Sequence, residues 1–207
     1  MTATSSESPA TPVPYATDGT DYRGAVRYHY ALALKRFVKF AAVFTPLWVQ
    51  LFIWKIEYLL PLAIVGFIGL LVTLILFCSR MFWIRKCSRV LHTYPLAFRT
   101  PVEKVDLQPP TTFFLRLGTG DKRDDEARTL RAKKLTGRPG WPADIAQGIW
   151  FAGDDPFGGA ALVPGTGELL FMQPRIRELT AEQRENAGPE RIRRARRAGI
   201  KRAVNIR

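Results

Sequence analysis

LLPLAIVGFIGLLVTLILFCS, residues 59–79, is a run of 21 residues without a charge. As a helix it rises about 31 Å at 1.5 Å per residue, the thickness of a bilayer's hydrocarbon core. The stretch therefore predicts a transmembrane helix over about 59–80. Pro61 falls in the first turn, where its missing N–H costs nothing. Phe82 and Trp83 then suit the membrane interface, and Arg85, Lys86 and Arg89 suit the headgroups.

The run on its N-terminal side is shorter. FAAVFTPLWVQLFIW, residues 40–54, holds 15 residues between Lys39 and Lys55. Alone it reaches only about 22 Å. Phe37 and Val38 extend it at one end and residues 56–58 at the other, while Lys39 and Lys55 can snorkel to the headgroups. A second span over about 37–57 is expected, with a kink at Pro46. The alternative is a helix lying in the interface. A signal peptide does not fit, because the run follows 36 polar and basic residues and no small-residue cleavage site comes after it. Two spans joined by KIEY must be antiparallel, which gives a hairpin over 37–83. Ala63, Gly66 and Gly69 recur every three residues on one helix, and Ala42 and Thr45 on the other. Small residues let backbones approach, so these five are the expected helix–helix seam. The bland competitor is that small residues are common in any membrane helix.

Charge sets the expected orientation. Arg23, Arg27, Lys35, Arg36 and Lys39 precede the hairpin, and Arg80, Arg85, Lys86 and Arg89 follow it. The connecting loop has Lys55 opposed by Glu57. Basic residues favour the cytoplasmic side, so a multi-pass protein of the cell membrane with both termini cytoplasmic is expected. The chain's formal charge of +13 is unevenly spread: residues 90–174 carry ten basic and ten acidic groups, whereas residues 175–207 carry eleven basic and four acidic.

Residues 1–21, rich in Ser, Thr and Pro, are expected to be unstructured. A juxtamembrane helix is expected over 22–36. Between the hairpin and the tail, residues 90–174 hold six short apolar or alternating runs separated by Gly, Pro and Asp. They read as about six antiparallel strands in a small barrel-like domain. Its core is expected from Phe113, Leu115, Trp150, Phe151, Leu162, Leu170 and Phe171.

GIWFAGDDPFGGAALVPGTGELLFMQP, residues 148–174, lies in that domain and invites a catalytic reading. Turn chemistry explains it better. Asp154 and Asp155 can bond nearby backbone N–H groups, Pro156 presets φ, and the glycines accept positive φ. PGTGE at 164–168 has Glu168 where a phosphate-binding loop needs a lysine, and a strand-like run follows instead of a helix. Two adjacent carboxylates without a third ligand make a poor metal site. His29 and His92 are far apart, and Cys78 and Cys87 form no CxxC motif. No catalytic residue, cofactor or metal is expected.

The tail, residues 175–207, reads as two helical pieces. Thr180 to Gln183 resembles a capping box, and Gly188-Pro189 is a break. Arg191, Arg193, Arg194, Arg196, Arg197, Lys201 and Arg202 make the second piece basic on most faces, with Ile192, Ala195, Ala198 and Ile200 as a weak apolar stripe. Those seven are the expected contacts to anionic lipid headgroups. Nucleic acid, an acidic protein, or water alone are the competing neighbours.

The layout of a two-helix hairpin followed by a small cytoplasmic β domain is similar to that of bacterial membrane proteins with a pleckstrin-homology-like domain. The similarity is one of architecture and carries no site residues. The functional expectation is a non-enzymatic integral membrane protein of bacterial type that holds an interaction domain at the bilayer, with self-association or a membrane-protein partner. An accessory subunit of a transport or DNA-transfer assembly is the second expectation, and a membrane-bound hydrolase the third.

Overall fold

The computed structural model describes residues 13–54, 60–108, 112–118, 129–135, 140–142, 144–176 and 180–200. The chain forms two compact units, one of residues 27–84 and one of residues 1–26 with 85–207.

The first unit is a pair of helices. Helix α1 is Tyr22–Trp54 and helix α2 is Leu60–Thr93, and both continue past the unit's ends. The expected juxtamembrane helix and first apolar run are one element, and α1 passes through Pro46 without ending. Phe37 meets Phe77 with ring centroids 4.6 Å apart, and Trp48 meets Phe67 at 6.2 Å. Partner numbers rise on one helix as they fall on the other, so the helices are antiparallel. A Cβ at Gly66 would stand 2.7 Å from the Trp48 backbone N, and one at Gly69 would stand 2.4 Å from the Phe44 ring. Ala63 is buried. The α1 side of this contact is not the small-residue face, because Ala42 and Thr45 are exposed. The glycines of α2 receive Phe44, Leu47 and Trp48 instead: small residues on one helix make room for large ones on the other.

Helix α2 is long and apolar enough to cross a membrane, and only 17% of its apolar window is buried. Ile64, Val65, Phe67, Ile68, Ile75 and Leu76 are each between 49% and 58% exposed.

The second unit is built on one seven-stranded antiparallel sheet. Its strands are β1 (Ala97–Arg99), β2 (Val102–Gln108), β3 (Thr112–Leu117), β4 (Thr129–Lys134), β5 (Ile149–Asp154), β6 (Gly158–Leu162) and β7 (Leu169–Pro174). The spatial order is β1-β5-β6-β7-β4-β3-β2. Six strands were expected; the first run splits in two at Pro101, which has no N–H for a ladder. The two halves then sit on opposite edges of the sheet. Only Thr100 and Pro101 separate them, a reach of roughly 10 Å. The edges of seven strands can lie that close only if the sheet curls, and it forms a half-barrel. Residues 90–93, expected to open this domain, are the last turn of α2.

The inner face buries Phe113, Leu115, Leu130, Ile149, Phe151 and Leu170, among others. Strand β6 is buried along its whole length, so the outer face is covered there too. Leu162 and Phe171 lie on that face; Lys86 of α2 stands 4.4 Å from the Phe171 ring centroid. Cys87, Val90 and Leu91 on the same stretch of α2 are buried. Trp150 is half-buried, packed on Phe98 at 5.1 Å.

The expectation of an unstructured run over 1–21 meets a difference at residues 13–21. Tyr15 donates its hydroxyl to the Gly167 carbonyl at 2.5 Å, and the Gly165 N–H donates to Thr17 Oγ1 at 3.1 Å. Gly19 fits against the Trp150 ring. Asp21 caps α1, accepting from the Gly24 N–H at 2.7 Å. Residues 1–12 lie outside the described residues. Composition misled here because hydroxyls and one aromatic ring, not an apolar period, attach the strap to a turn.

That turn is PGTGE. Gly167 N–H donates to the Val163 carbonyl at 2.9 Å, and Val163 N–H to the Glu168 carbonyl at 3.0 Å. Glu168 turns inward to Lys134 of β4 at 2.8 Å, with the two side chains 12% and 4% exposed. The other quoted turn is the hairpin Asp155-Pro156-Phe157 between β5 and β6. Phe157 is fully buried, and Gly158 takes φ +87°, where a Cβ would also press on the Met172 carbonyl.

Candidate functional site

The tail does not stand free as a basic arm up to residue 200. Helix α3 (Ala181–Glu185) and helix α4 (Gly188–Arg197) follow the sheet, separated at Gly188-Pro189. The expected capping box at Thr180 is not made. The Thr180 hydroxyl accepts from the Arg184 guanidinium at 2.8 Å instead of from a backbone N–H, and both residues are buried.

Helix α4 keeps Ile192 half-buried and buries Ala195, with Ala198 and Ile200 buried just beyond its end. The weak apolar stripe is the docking face; its spacing of three puts small side chains along one line, which lets a helix of arginines lie close to the fold. Arg191, Arg193, Arg194, Arg196 and Arg197 remain exposed. Glu190 in the first turn and arginines in the last match the helix dipole.

Arg191 is the latch. Its Nε donates to Asp154 Oδ2 at 2.8 Å and its Nη2 to Oδ1 at 2.5 Å. This two-pronged geometry is what a guanidinium makes with a carboxylate. The hydrogen bond to Asp154 raises the Arg191 pKa further above its ordinary value. Asp154 thus ends β5, anchors α4 and accepts the turn bond from Phe157. An Asp154→Asn variant should lose about 1 kcal/mol, because Arg191 is half exposed and water screens the pair. Hydrogen exchange should then speed up in α4 while β5 and β6 keep their protection.

Tyr94 lies beside the latch, just past the end of α2. Its ring sits 5.9 Å from the Arg194 guanidinium carbon. Its hydroxyl is buried without a hydrogen-bond partner among the described residues. Burial first, then the Asp154 charge, push the phenol up to about 12 against the opposing pull of Arg194 and Arg191. A phenol held above its ordinary 10 in the folded state supports the fold fully below pH 10. That support is lost as pH climbs from about 10 through 12. Absorbance at the phenolate band should show this tyrosine titrating late, and Tyr94→Phe should remove that late step.

Thr93, Glu190, Arg193, Arg194 and Arg197 enclose a groove of about 310 Å³. Arg193 reaches Glu190 at 3.6 Å. Three guanidiniums against one carboxylate leave the groove electropositive, suited to holding an anion by charge and by hydrogen bonds. Arg89 of α2 lies 3.9 Å from where a Cβ would stand on Gly199, adding a further cation nearby. Of the residues read from sequence, Arg193, Arg194 and Arg197 come together here. Arg191 is turned to Asp154, Arg196 does not line the groove, and Lys201 and Arg202 lie outside the described residues. Thr93, Tyr94 and Asp154 were missed as site residues. No local signal marks them, since Asp154 and Arg191 are 37 positions apart.

Burial pushes the Cys87 thiol up to about 12, so it stays protonated, and Cys78 and Cys87 are both free. Among the described residues no three His, Cys, Asp or Glu side chains converge.

The chain matches no protein-family model, no curated protein and no solved structure.

Proposed function

We propose that the chain is a non-enzymatic, two-span integral membrane protein of bacterial type, with both termini cytoplasmic, that holds a small β interaction unit and its arginine helix at the inner surface of the plasma membrane. The observation that carries this reading is the half-exposed apolar surface along α2. Fully burying a side chain of this size is worth about 1.5–3 kcal/mol. A continuous surface of such side chains is costly in water and neutral in lipid. Its antiparallel partner α1 is the second span, with Lys39 snorkelling to the headgroups. The basic flanks of both helices support the orientation. The groove at Arg193, Arg194 and Arg197 supports contact with anionic headgroups, each basic residue near the surface being worth roughly 1 kcal/mol.

Carbonate extraction tests the anchor: the protein should stay with the membranes and come out only in detergent. A reporter active only outside the cell, fused after Arg207, should be silent. A chain that is monodisperse in buffer without detergent would end this reading. Titration of the full protein in detergent with duplex DNA separates the nucleic-acid alternative, which requires binding that survives physiological salt.

A further inference from the structure

The two helices of the 27–84 unit leave a groove of about 310 Å³ between them. Its composition changes along its length. At one end Gly69 lies under the Phe44 ring, and Phe37 meets Phe77 further along. At the other end Arg36 and Arg80, one from each helix, line the same groove, and both are half-buried. From Gly69 to Arg80 the helix rises roughly 16 Å. That is about half of the ~30 Å hydrocarbon core, the depth of one leaflet.

An apolar trough about one leaflet deep, with an arginine from each helix at one end, is shaped for one kind of molecule. We propose that this groove binds one acyl chain of an anionic phospholipid, with the lipid phosphate held between Arg36 and Arg80. The inference rests on the membrane reading above. Phenylalanine rings and small residues line the chain's path, and guanidiniums take a phosphate through paired N–H donors. Gly69 matters because a side chain there would push the Phe44 ring out of its place along the groove. A second copy of this chain fits the groove poorly. Its only acidic residue between 27 and 84 is Glu57, more than 20 positions from both Arg36 and Arg80 in the sequence. Free phosphate would leave the apolar length empty.

Native mass spectrometry of the full chain in detergent, titrated with dioleoyl phosphatidylglycerol, dioleoyl phosphatidylcholine or glycerol 3-phosphate, tests the proposal. One phosphatidylglycerol should be retained at least about tenfold better than phosphatidylcholine, since only it carries a net charge for the two arginines. Glycerol 3-phosphate should not displace it. Arg36→Gln with Arg80→Gln should bring phosphatidylglycerol down to the level of phosphatidylcholine, whereas Lys39→Gln, an exposed cation outside the groove, should leave retention unchanged. Equal retention of the two lipids by the unaltered chain overturns the proposal, even if the double variant fails to fold. So does displacement by glycerol 3-phosphate, or an equal loss in the Lys39 variant. A chain that pellets with membranes yet retains both lipids alike sinks the groove alone; one that is soluble without detergent sinks the membrane reading itself.

Discussion

Replacing Lys134 by methionine is expected to destabilise the β unit by about 3–5 kcal/mol, because Glu168 is then left as a buried carboxylate with its cation gone. The pair spans 2.8 Å, with Lys134 at 4% and Glu168 at 12% side-chain exposure, and Lys134 also donates to the Gly140 carbonyl at 3.3 Å. It ties β4 to the loop that leads into β7, at the end of the β4–β7 ladder where Lys134 pairs with Leu170. Denaturant unfolding in detergent micelles, followed through the tryptophan fluorescence of this unit, measures the loss. The double change Lys134→Met with Glu168→Leu should recover most of it, since neither charge is then left buried without the other. A single-variant loss below about 1 kcal/mol would instead describe a pair that water still reaches.

The second large effect is expected in the helix pair. Gly66→Ile forces a branched side chain against the Trp48 and Leu47 backbone, which stands 2.7–2.9 Å from the first added carbon. Backbone atoms cannot rotate away, so the helices must separate. Overpacking of this kind costs about 1–3 kcal/mol and sits at the upper end when the obstacle is main chain. Ala42→Ile and Thr45→Ile, at exposed positions of α1, should change stability by no more than about 0.5 kcal/mol. Thermal unfolding monitored by the helical signal distinguishes the three. Equal effects at all three positions would mean that the helices meet through a different face.

These two pairs of positions show what local reading can and cannot reach. Gly66 and Gly69 can be read from the sequence as candidates for close approach, because a residue without a side chain leaves room for a neighbouring helix. Nothing local says what approaches. On α1 the small residues turned out to face away, and Phe44, Leu47 and Trp48 supply the contact. The same holds in the sheet. Turn residues at 155–157 and 164–167 mark hairpins because Gly, Pro and Asp act on their own backbone. The placement of β1 and β2 on opposite edges is a property of closure and is invisible in the twelve residues that contain them.

The candidate site follows that division. An arginine-rich segment past residue 190 is plain in the sequence, and so is an electropositive surface. That Arg191 is consumed by Asp154, leaving Arg193, Arg194 and Arg197 around Thr93, depends on where α4 docks. The alanines and isoleucines of its inner face are too small and few for a strong periodic signal, yet Ala195, Ala198 and Ile200 are buried in the folded unit.

By itself the sequence determined which segments are apolar for the length of a helix, where turns interrupt strands, and where positive charge collects, since each depends on residues within a few positions of one another. The tertiary structure alone decided that the last turns of α2 are buried in the β unit, that residues 13–21 strap a loop some 150 positions away, and that one carboxylate fixes the arginine helix. Such contacts join residues far apart in the chain, and their energy exists only once the intervening backbone has folded to bring them together.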